Sequence, residues 1–299
     1  MRKFWCGALG FVLAACSGSA PESAQPEPVH PGSVQPQTYD QVRPEITEFM
    51  TEPAILVFSA SKGWRHNEGI AGADFFFVEL ARARGFGIFT TENGAVFNAE
   101  DLARFKVVVF NNMTGDTLSP AQETAFQTWL EAGGGWIGIH GSGDASHEDW
   151  DWYADKLIGP MFLNHPADPQ FQDARIVNLR AGHPVMQGVP DEWSMTDEWY
   201  TFDGTPQEYG LLPLAGLDEA SYDPVNHQYG DVSDLRMGPL PIDHPVLWAG
   251  CPGQGRSVYS AFGHSELTYK NAQHRQILSN AFDWVSGASD ARGEGCPAP

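Results

Sequence analysis

Gly135-Trp136-Ile137-Gly138-Ile139-His140-Gly141-Ser142-Gly143-Asp144 is the stretch on which the fold turns. Its short apolar run reads as a buried strand, and the run breaks abruptly into glycines around His140. Glycines on both sides let the backbone turn tightly and take a positive φ. At the carboxyl end of a parallel strand, such a turn presents its side chain to the crevice where open α/β sheets bind ligands. Elbows of this kind in acyl-transfer enzymes carry Ser or Cys. A histidine there argues against a covalent ester route, and Ser142, two residues on, is badly placed to supply one.

Outward from this segment, strand and helix signals alternate. Ala54 to Ser59 reads as a first buried strand, and helix-compatible sequence from Asn67 to Arg84 stops at Gly85. Phe86 to Thr90 and Lys106 to Phe110 are further strands, with a short helix capped at Asn98 between them. Ser119-Pro120-Ala121-Gln122 opens another helix with an N-cap, a proline at the first position and a capping-box glutamine. The pattern predicts an α/β fold with a doubly wound, mostly parallel sheet, a flavodoxin-like three-layer sandwich. Later strands are expected at Arg175 to Leu179, Leu211 to Leu217, Val246 to Ala249 and Ser257 to Phe262, with a closing helix over Asn271 to Val285. Asp218 to His244, rich in Gly, Pro and Asp, reads as a long functional loop or insertion.

The N-terminus reads differently. Arg2 and Lys3 precede an apolar run over Trp5 to Ala15 that is too short to span a bilayer. Leu13-Ala14-Ala15-Cys16 resembles a bacterial lipobox, which implies a signal peptide over residues 1–15 and lipidation at Cys16; a plain secretory signal with a chance cysteine is the alternative. Residues 16–43 are rich in Ser, Pro, Glu and Gln and read as a flexible tether before one domain over 44–299. The formal charge of −21 excludes a nucleic-acid footprint and leaves membrane attachment to the lipid alone. The expected location is the bacterial cell envelope, periplasmic or at the outer membrane. Cys251 and Cys296 then remain as an even pair in an oxidising compartment, as a disulfide or as two buried thiols.

Several short segments place polar and aromatic residues at strand ends and turns. Loops after the first, third and fourth strands of a parallel sheet open on one edge, so His66, Asn112 and His140 converge by topology alone. Arg65 precedes His66, and Asp144 either acts in the crevice or caps the next helix. Trp152 and Tyr153 are core residues or a sugar-stacking platform. His165 before Pro166 closes a turn or joins the site. Asp197 and Glu198 beside Trp199 and Tyr200 form a solvated edge or an acidic centre among aromatics, and Gly263-His264-Ser265 follows a late strand. His183 and His244, each before a proline, read as turn residues. Imidazoles with a carboxylate suit Zn²⁺ or a similar divalent metal, but no pair shows a zinc-enzyme helical spacing, and metal-free acid–base work serves the same residues. No phosphate loop or dinucleotide fingerprint is present.

Together, Gly63-Trp64-Arg65-His66, Gly138-Ile139-His140-Gly141, Trp152-Tyr153, Asn164-His165-Pro166, Asp197-Glu198-Trp199-Tyr200 and Gly263-His264-Ser265 resemble the trehalose-utilisation (ThuA-like) family over about Ala54 to Gly287. The resemblance implies a variant of the class I glutamine amidotransferase fold with histidine in place of the elbow cysteine, hence no glutaminase activity. It also implies a link to bacterial use of trehalose and related disaccharides, particularly sugars oxidised at carbon 3. The sequence departs from many relatives in Gly141-Ser142-Gly143, where alanines are frequent, and in its lipoprotein signal. The expectation is an enzyme on a glycoside or its 3-keto derivative, working by isomerisation or elimination. His140, His66, Asp144 and Glu198 would be catalytic. Arg65, Asn112, Trp152, Tyr153, Asp197, Tyr200 and His264 would bind substrate, and any metal would sit on His66, His140, His165 and His264. The competing expectation is a non-catalytic, surface-tethered carbohydrate-binding protein.

Overall fold

The computed structural model describes residues 38–147, 150–227, 232–287 and 295–296. The expected signal peptide, Cys16 and residues 16–37 of the tether lie outside the described residues. The compact unit begins at Tyr39, earlier than the expected boundary at residue 44. The reason is polar: the Tyr39 hydroxyl donates to Asp116 at 2.6 Å, and the Arg43 guanidinium pairs with Asp101 and Glu100. Among the described residues, no helix is long and apolar enough to cross a membrane.

The first half of the unit follows its sequence signals closely. It runs β1 (Ala54–Phe58), α1 (Asn67–Arg84), β2 (Gly87–Thr91), α2 (Ala99–Leu102), β3 (Phe105–Asn111), α3 (Pro120–Glu131) and β4 (Gly135–Ile139). Gly85, at φ 72°, ends α1, a conformation that costs a residue without Cβ little. The Ser119–Gln122 capping box starts α3, and the Asn98 side chain accepts from Asp101 N–H to start α2. All five residues of β1 and of β4 are buried, as strands covered on both faces must be.

Beyond β4 the elements shorten. A single turn, α4 (Asp151–Tyr153), continues into a π-helical turn over Ala154–Ile158. There follow β5 (Phe162–Asn164), β6 (Phe171–Asn178), β7 (Glu192–Glu198), β8 (Thr201–Phe202), β9 (Leu212–Asp218), β10 (Val225–Asn226), β11 (Ser233–Asp234), β12 (Pro245–Gly250) and β13 (Arg256–Ser260). Helix α5 (Ala272–Val285) closes the fold, with the Asn271 side chain accepting from the N–H groups of Gln273 and His274. Strand β7 was not anticipated, and β6 starts at Phe171 rather than Arg175. The Asp218 to His244 segment carries the small β10–β11 hairpin.

One sheet orders the long strands β2-β1-β3-β4-β13-β12-β9-β6-β7. Pairing is parallel from β2 through β13 and antiparallel from β13 through β7, so most strands still run one way. On one side α1 and α5 are joined by the Arg84–Asp283 ion pair and the Phe86–Phe282 rings. Phe110 meets Phe126 of α3 and Tyr153 of α4 in the other layer. The Cys251–Cys296 disulfide forms and ties the tail to the end of β12.

Candidate active site

His140 itself, rather than a glycine, takes the left-handed turn at the end of β4, with φ 42°; Asn112 after β3 does the same at φ 53°. The expected role of the flanking glycines therefore changes. Gly138, Gly141 and Gly143 are not at positive φ, but a Cβ on each would strike a packed ring: Trp136 at 2.3 Å, His66 at 2.9 Å and Tyr259 at 2.3 Å. They permit close approach, and the strain sits on the histidine. Hydrogen bonds hold that strain: the Tyr259 hydroxyl donates to the His140 carbonyl at 2.7 Å, Gly141 N–H donates to Asn112 Oδ1, and the Ser142 hydroxyl donates to the Phe110 carbonyl. Asn112 is thus a buried support of the elbow.

Four side chains converge here. His66 precedes α1, His140 follows β4, His264 follows β13 beyond Gly263, and Glu198 ends β7. One ligand atom of each lies within 4.8 Å of the others. His140 Nε2 is 3.1 Å from both Glu198 Oε2 and His264 Nδ1, and these two are 3.0 Å apart. His140 Nδ1 lies 2.7 Å from the Ala261 carbonyl, which can only accept, so that nitrogen carries a hydrogen. In a flat sheet, five strand spacings of about 4.8 Å would leave β7 about 24 Å from β4. The 3.1 Å contact therefore requires the antiparallel end to curl back over the carboxyl edge, which accumulated strand twist allows.

Buried Asp197 secures this curl. Its carboxylate accepts from the N–H of Gly263 at 2.8 Å and of Glu198 at 3.0 Å, tying the His264 turn to the end of β7. Burial pushes its pKa upward against those two donors. The charges around it are arranged in opposition. Burial works against the Glu198 charge, yet the hydrogen bonds of His140 and His264 hold its pKa well below the usual carboxylate range. Burial also lowers His140, but the Glu198 hydrogen bond and charge override this and raise it. His66 is lowered to about 2 by burial and by its imidazole neighbours His140 and His264, so it stays neutral, and its Nδ1 has no hydrogen-bond partner among the described residues.

A cavity of about 670 Å³ opens over the cluster, walled by Trp64, Phe162, Tyr200, Asp144, Asp168 and Gln170 among others. A second hollow of about 320 Å³ shares Asp144 and Phe162 with it. Tyr200 packs on His140 with ring centroids 4.2 Å apart. Asp144 keeps Oδ1 against Ser146 and faces the cavity. His140 is fully buried beneath His66, Tyr200 and Glu198 and does not line the cavity. His165 lines the cavity beside the cluster, with Nε2 3.3 Å from Glu198 Oε1, and Glu198 takes the place expected for His165 among the possible metal ligands.

Five expected binding residues do not line the cavity: Asn112 and Asp197, buried as supports, and three that point elsewhere. Arg65 turns to Glu92, Asn67 and the Ser59 carbonyl. Trp152 donates to Glu131 of α3 and packs on Phe126. Tyr153 is wholly buried, donates to the Ser142 carbonyl and lies beside the second hollow only. Conversely, Trp64, 73% exposed at the rim, Phe162 and Gln170 were not among the candidates. Trp64 sat inside a quoted motif; nothing in the sequence marks Gln170, which donates to Glu198 Oε1. His244, read as a turn residue, is fully buried, bonding Glu219 and the Tyr200 carbonyl and so fixing the strand end that carries the site.

A mostly parallel sheet with helices on both faces and a polar elbow at its carboxyl edge defines the glutamine amidotransferase-like class of α/β proteins, here with histidine at the elbow. Residues 54–285 match the ThuA family, described as trehalose utilisation, and the chain belongs to that family. A thua-like protein from Bacteroides uniformis superposes with a TM-score of 0.66 at 21% identity, covering 85% of this chain and 99% of that one. A thua-like protein from Parabacteroides merdae gives 0.58 at 14% identity, covering 79% and 90%. A cytoplasmic protein from Salmonella typhimurium LT2 gives 0.52 at 13%, covering 78% and 99%. At these identities the likeness shows the fold alone. No curated protein matches the sequence.

Proposed function

We propose that this protein is an enzyme that moves a proton at a carbon beside the carbonyl of an oxidised sugar, leading to isomerisation or to β-elimination of a glycosidic bond. The observation that carries the reading is the cavity's composition. Three imidazoles, His66, His165 and His264, and three carboxylates, Asp144, Asp168 and Glu198, line it beside aromatic rings, with no Ser, Thr, Cys or Lys in the lining among the described residues. Glu198, engaged at both oxygens and held ionised, is a poor proton donor to a leaving group, which weakens a direct two-carboxylate hydrolysis.

A ketone at carbon 3 acidifies the hydrogen at carbon 2. In this reading Asp144, whose Oδ2 has no hydrogen bond among the described residues, removes that proton. The imidazoles His66 and His264, which line the cavity, stabilise the oxygen on which charge develops. His140, buried beneath the cavity floor, is a positioning and charge-holding residue in this scheme. The adjoining hollow has room for part of a second ring or an aglycone.

Incubation with 3-keto-trehalose or a 3-keto-glucoside, followed by NMR, is the test. Glu198→Gln is expected to lower kcat/KM by about 10²–10³. Wild-type turnover no faster than this variant's would overturn the reading, and sugar binding without turnover would favour a carbohydrate-binding module resting on the exposed Trp64.

We further propose that the chain acts outside the cytoplasm as a lipoprotein anchored through Cys16, a reading supported by the Cys251–Cys296 disulfide. Cys16→Ala should move the protein from the membrane fraction to the soluble one; unchanged fractionation would refute the anchor.

A further inference from the structure

The contacts of His140, His264 and Glu198 call for one positive charge between them. The Ala261 carbonyl fixes hydrogen on His140 Nδ1, so Nε2 either carries a second proton toward Glu198 or, where a cation replaces that proton, presents its lone pair. Glu198 Oε2 is an acceptor too. His264 Nδ1 touches both, and a single hydrogen on it can satisfy only one well at a time. Two acceptors 3.1 Å apart need a proton or a cation between them.

The triangle has the dimensions of a metal face. Adjacent ligands at right angles on bonds of about 2.1 Å stand about 3.0 Å apart, and the three edges here are 3.0, 3.1 and 3.1 Å. Two imidazoles and one carboxylate on a single face, with the remaining positions open, form a known divalent-ion set. His66, 5% exposed and with a buried Nδ1 lacking any partner, brings a further ligand atom within 4.8 Å of the set. The supporting contacts are also complete. Ala261 orients His140, Gln170 and His165 occupy the other oxygen of Glu198, and Asp197 fixes the backbone of both Glu198 and the His264 turn. Asp144 and Asp168 add negative charge to the walls.

We propose that His140 Nε2, His264 Nδ1 and Glu198 Oε2 hold one divalent transition-metal ion of the Zn²⁺, Mn²⁺ or Fe²⁺ class, with His66 as a further ligand. The open positions face the cavity and suit two neighbouring oxygens of a hydroxy-ketone. The catalytic use of the ion rests on the proton-transfer reading above; occupancy of the site does not.

The test uses the mature protein, stripped with chelator and titrated with Zn²⁺ or Mn²⁺ alone by calorimetry, with elemental analysis of the untreated protein alongside. One ion per chain is expected, bound at least about 100-fold more weakly by His140→Ala and by Glu198→Gln. His264→Ala, at the cavity wall, repeats the test with least disturbance of the core. His227→Ala, whose ring pairs with Asp223 and lies outside the cluster, should bind as wild type does. Thermal melts of each variant establish that it is folded. No ion on the wild type, or equal binding by folded His264→Ala and Glu198→Gln variants, overturns the proposal. Keto-sugar turnover that survives chelation overturns the catalytic use of the ion while sparing the proton-transfer reading; a bound ion without turnover upholds the site and overturns that reading.

Discussion

The strands β2-β1-β3-β4-β13 and the strands β12-β9-β6-β7 share one sheet but divide its labour. At the centre of the parallel half, β1, β3 and β4 are buried on both faces and built of near-continuous apolar runs, with helices crossing between the strands and the part-exposed β2 at the edge. It supplies three imidazoles from the loops after β1, β4 and β13. The antiparallel half begins with the buried β12 and β9 and ends in the part-exposed β6 and β7, and this outer end supplies Glu198, Asp197 and Tyr200. The first half is a platform that fixes where the histidines stand. The second is a flap of sheet that brings the counter-charge over them. A histidine cluster on the platform alone would be three mutually repelling bases; the curl of the sheet turns it into a centre.

The sharpest way to break this comparison is to empty matched positions in the two halves. Phe110 packs on Phe58, Phe97, Phe126, Trp136 and Tyr153, and Phe110→Ala should cost about 3–5 kcal/mol in a denaturant melt. Phe171→Ala at the start of β6, where the ring is 44% exposed, should cost only about 1 kcal/mol. Equal costs would mean that the platform is no stiffer than the flap.

A second expectation concerns acid. His274 on α5 is fully buried, and burial lowers its pKa to about 4. The unfolded chain takes up this proton near pH 6.5, the folded chain only near pH 4. The stability due to a neutral His274 is therefore present above pH 6.5 and is lost as the pH falls toward 4, by about 3 kcal/mol. His274→Phe should flatten that part of the stability–pH curve relative to wild type. An unchanged slope would show that the acid sensitivity arises at other buried histidines, such as His66, His147 or His183.

What could be read from the sequence follows the same division. The platform announces itself through local rules: Gly85 as a helix stop, Ser119-Pro120-Gln122 as a helix start and β-branched runs as buried strands. The convergence of His66 and His140 needed only the direction of parallel strands. Strand β7 was hidden because its alternation of Trp193 and Met195 ends inward on Asp197 rather than on an apolar residue. Glu198 could be suspected but not placed, since its position depends on curl accumulated across five pairings. Arg65 looked like a crevice residue by proximity to His66, but neighbouring side chains alternate in direction, and Glu92 offered it a partner outside. The flanking glycines suggested backbone freedom at the elbow, whereas ring packing explains them and the unusual φ falls on His140.

The place of β7 at the rim of the sheet carries a further consequence. Paired to β6 on one side only, it belongs to the part of a fold that opens locally before the whole unfolds. Its last residues hold the acid on which the cluster depends, and Asp197 fastens them by two backbone contacts. The chemistry of this molecule is therefore only as durable as its loosest seam: the site can dissolve while the body beneath it remains folded.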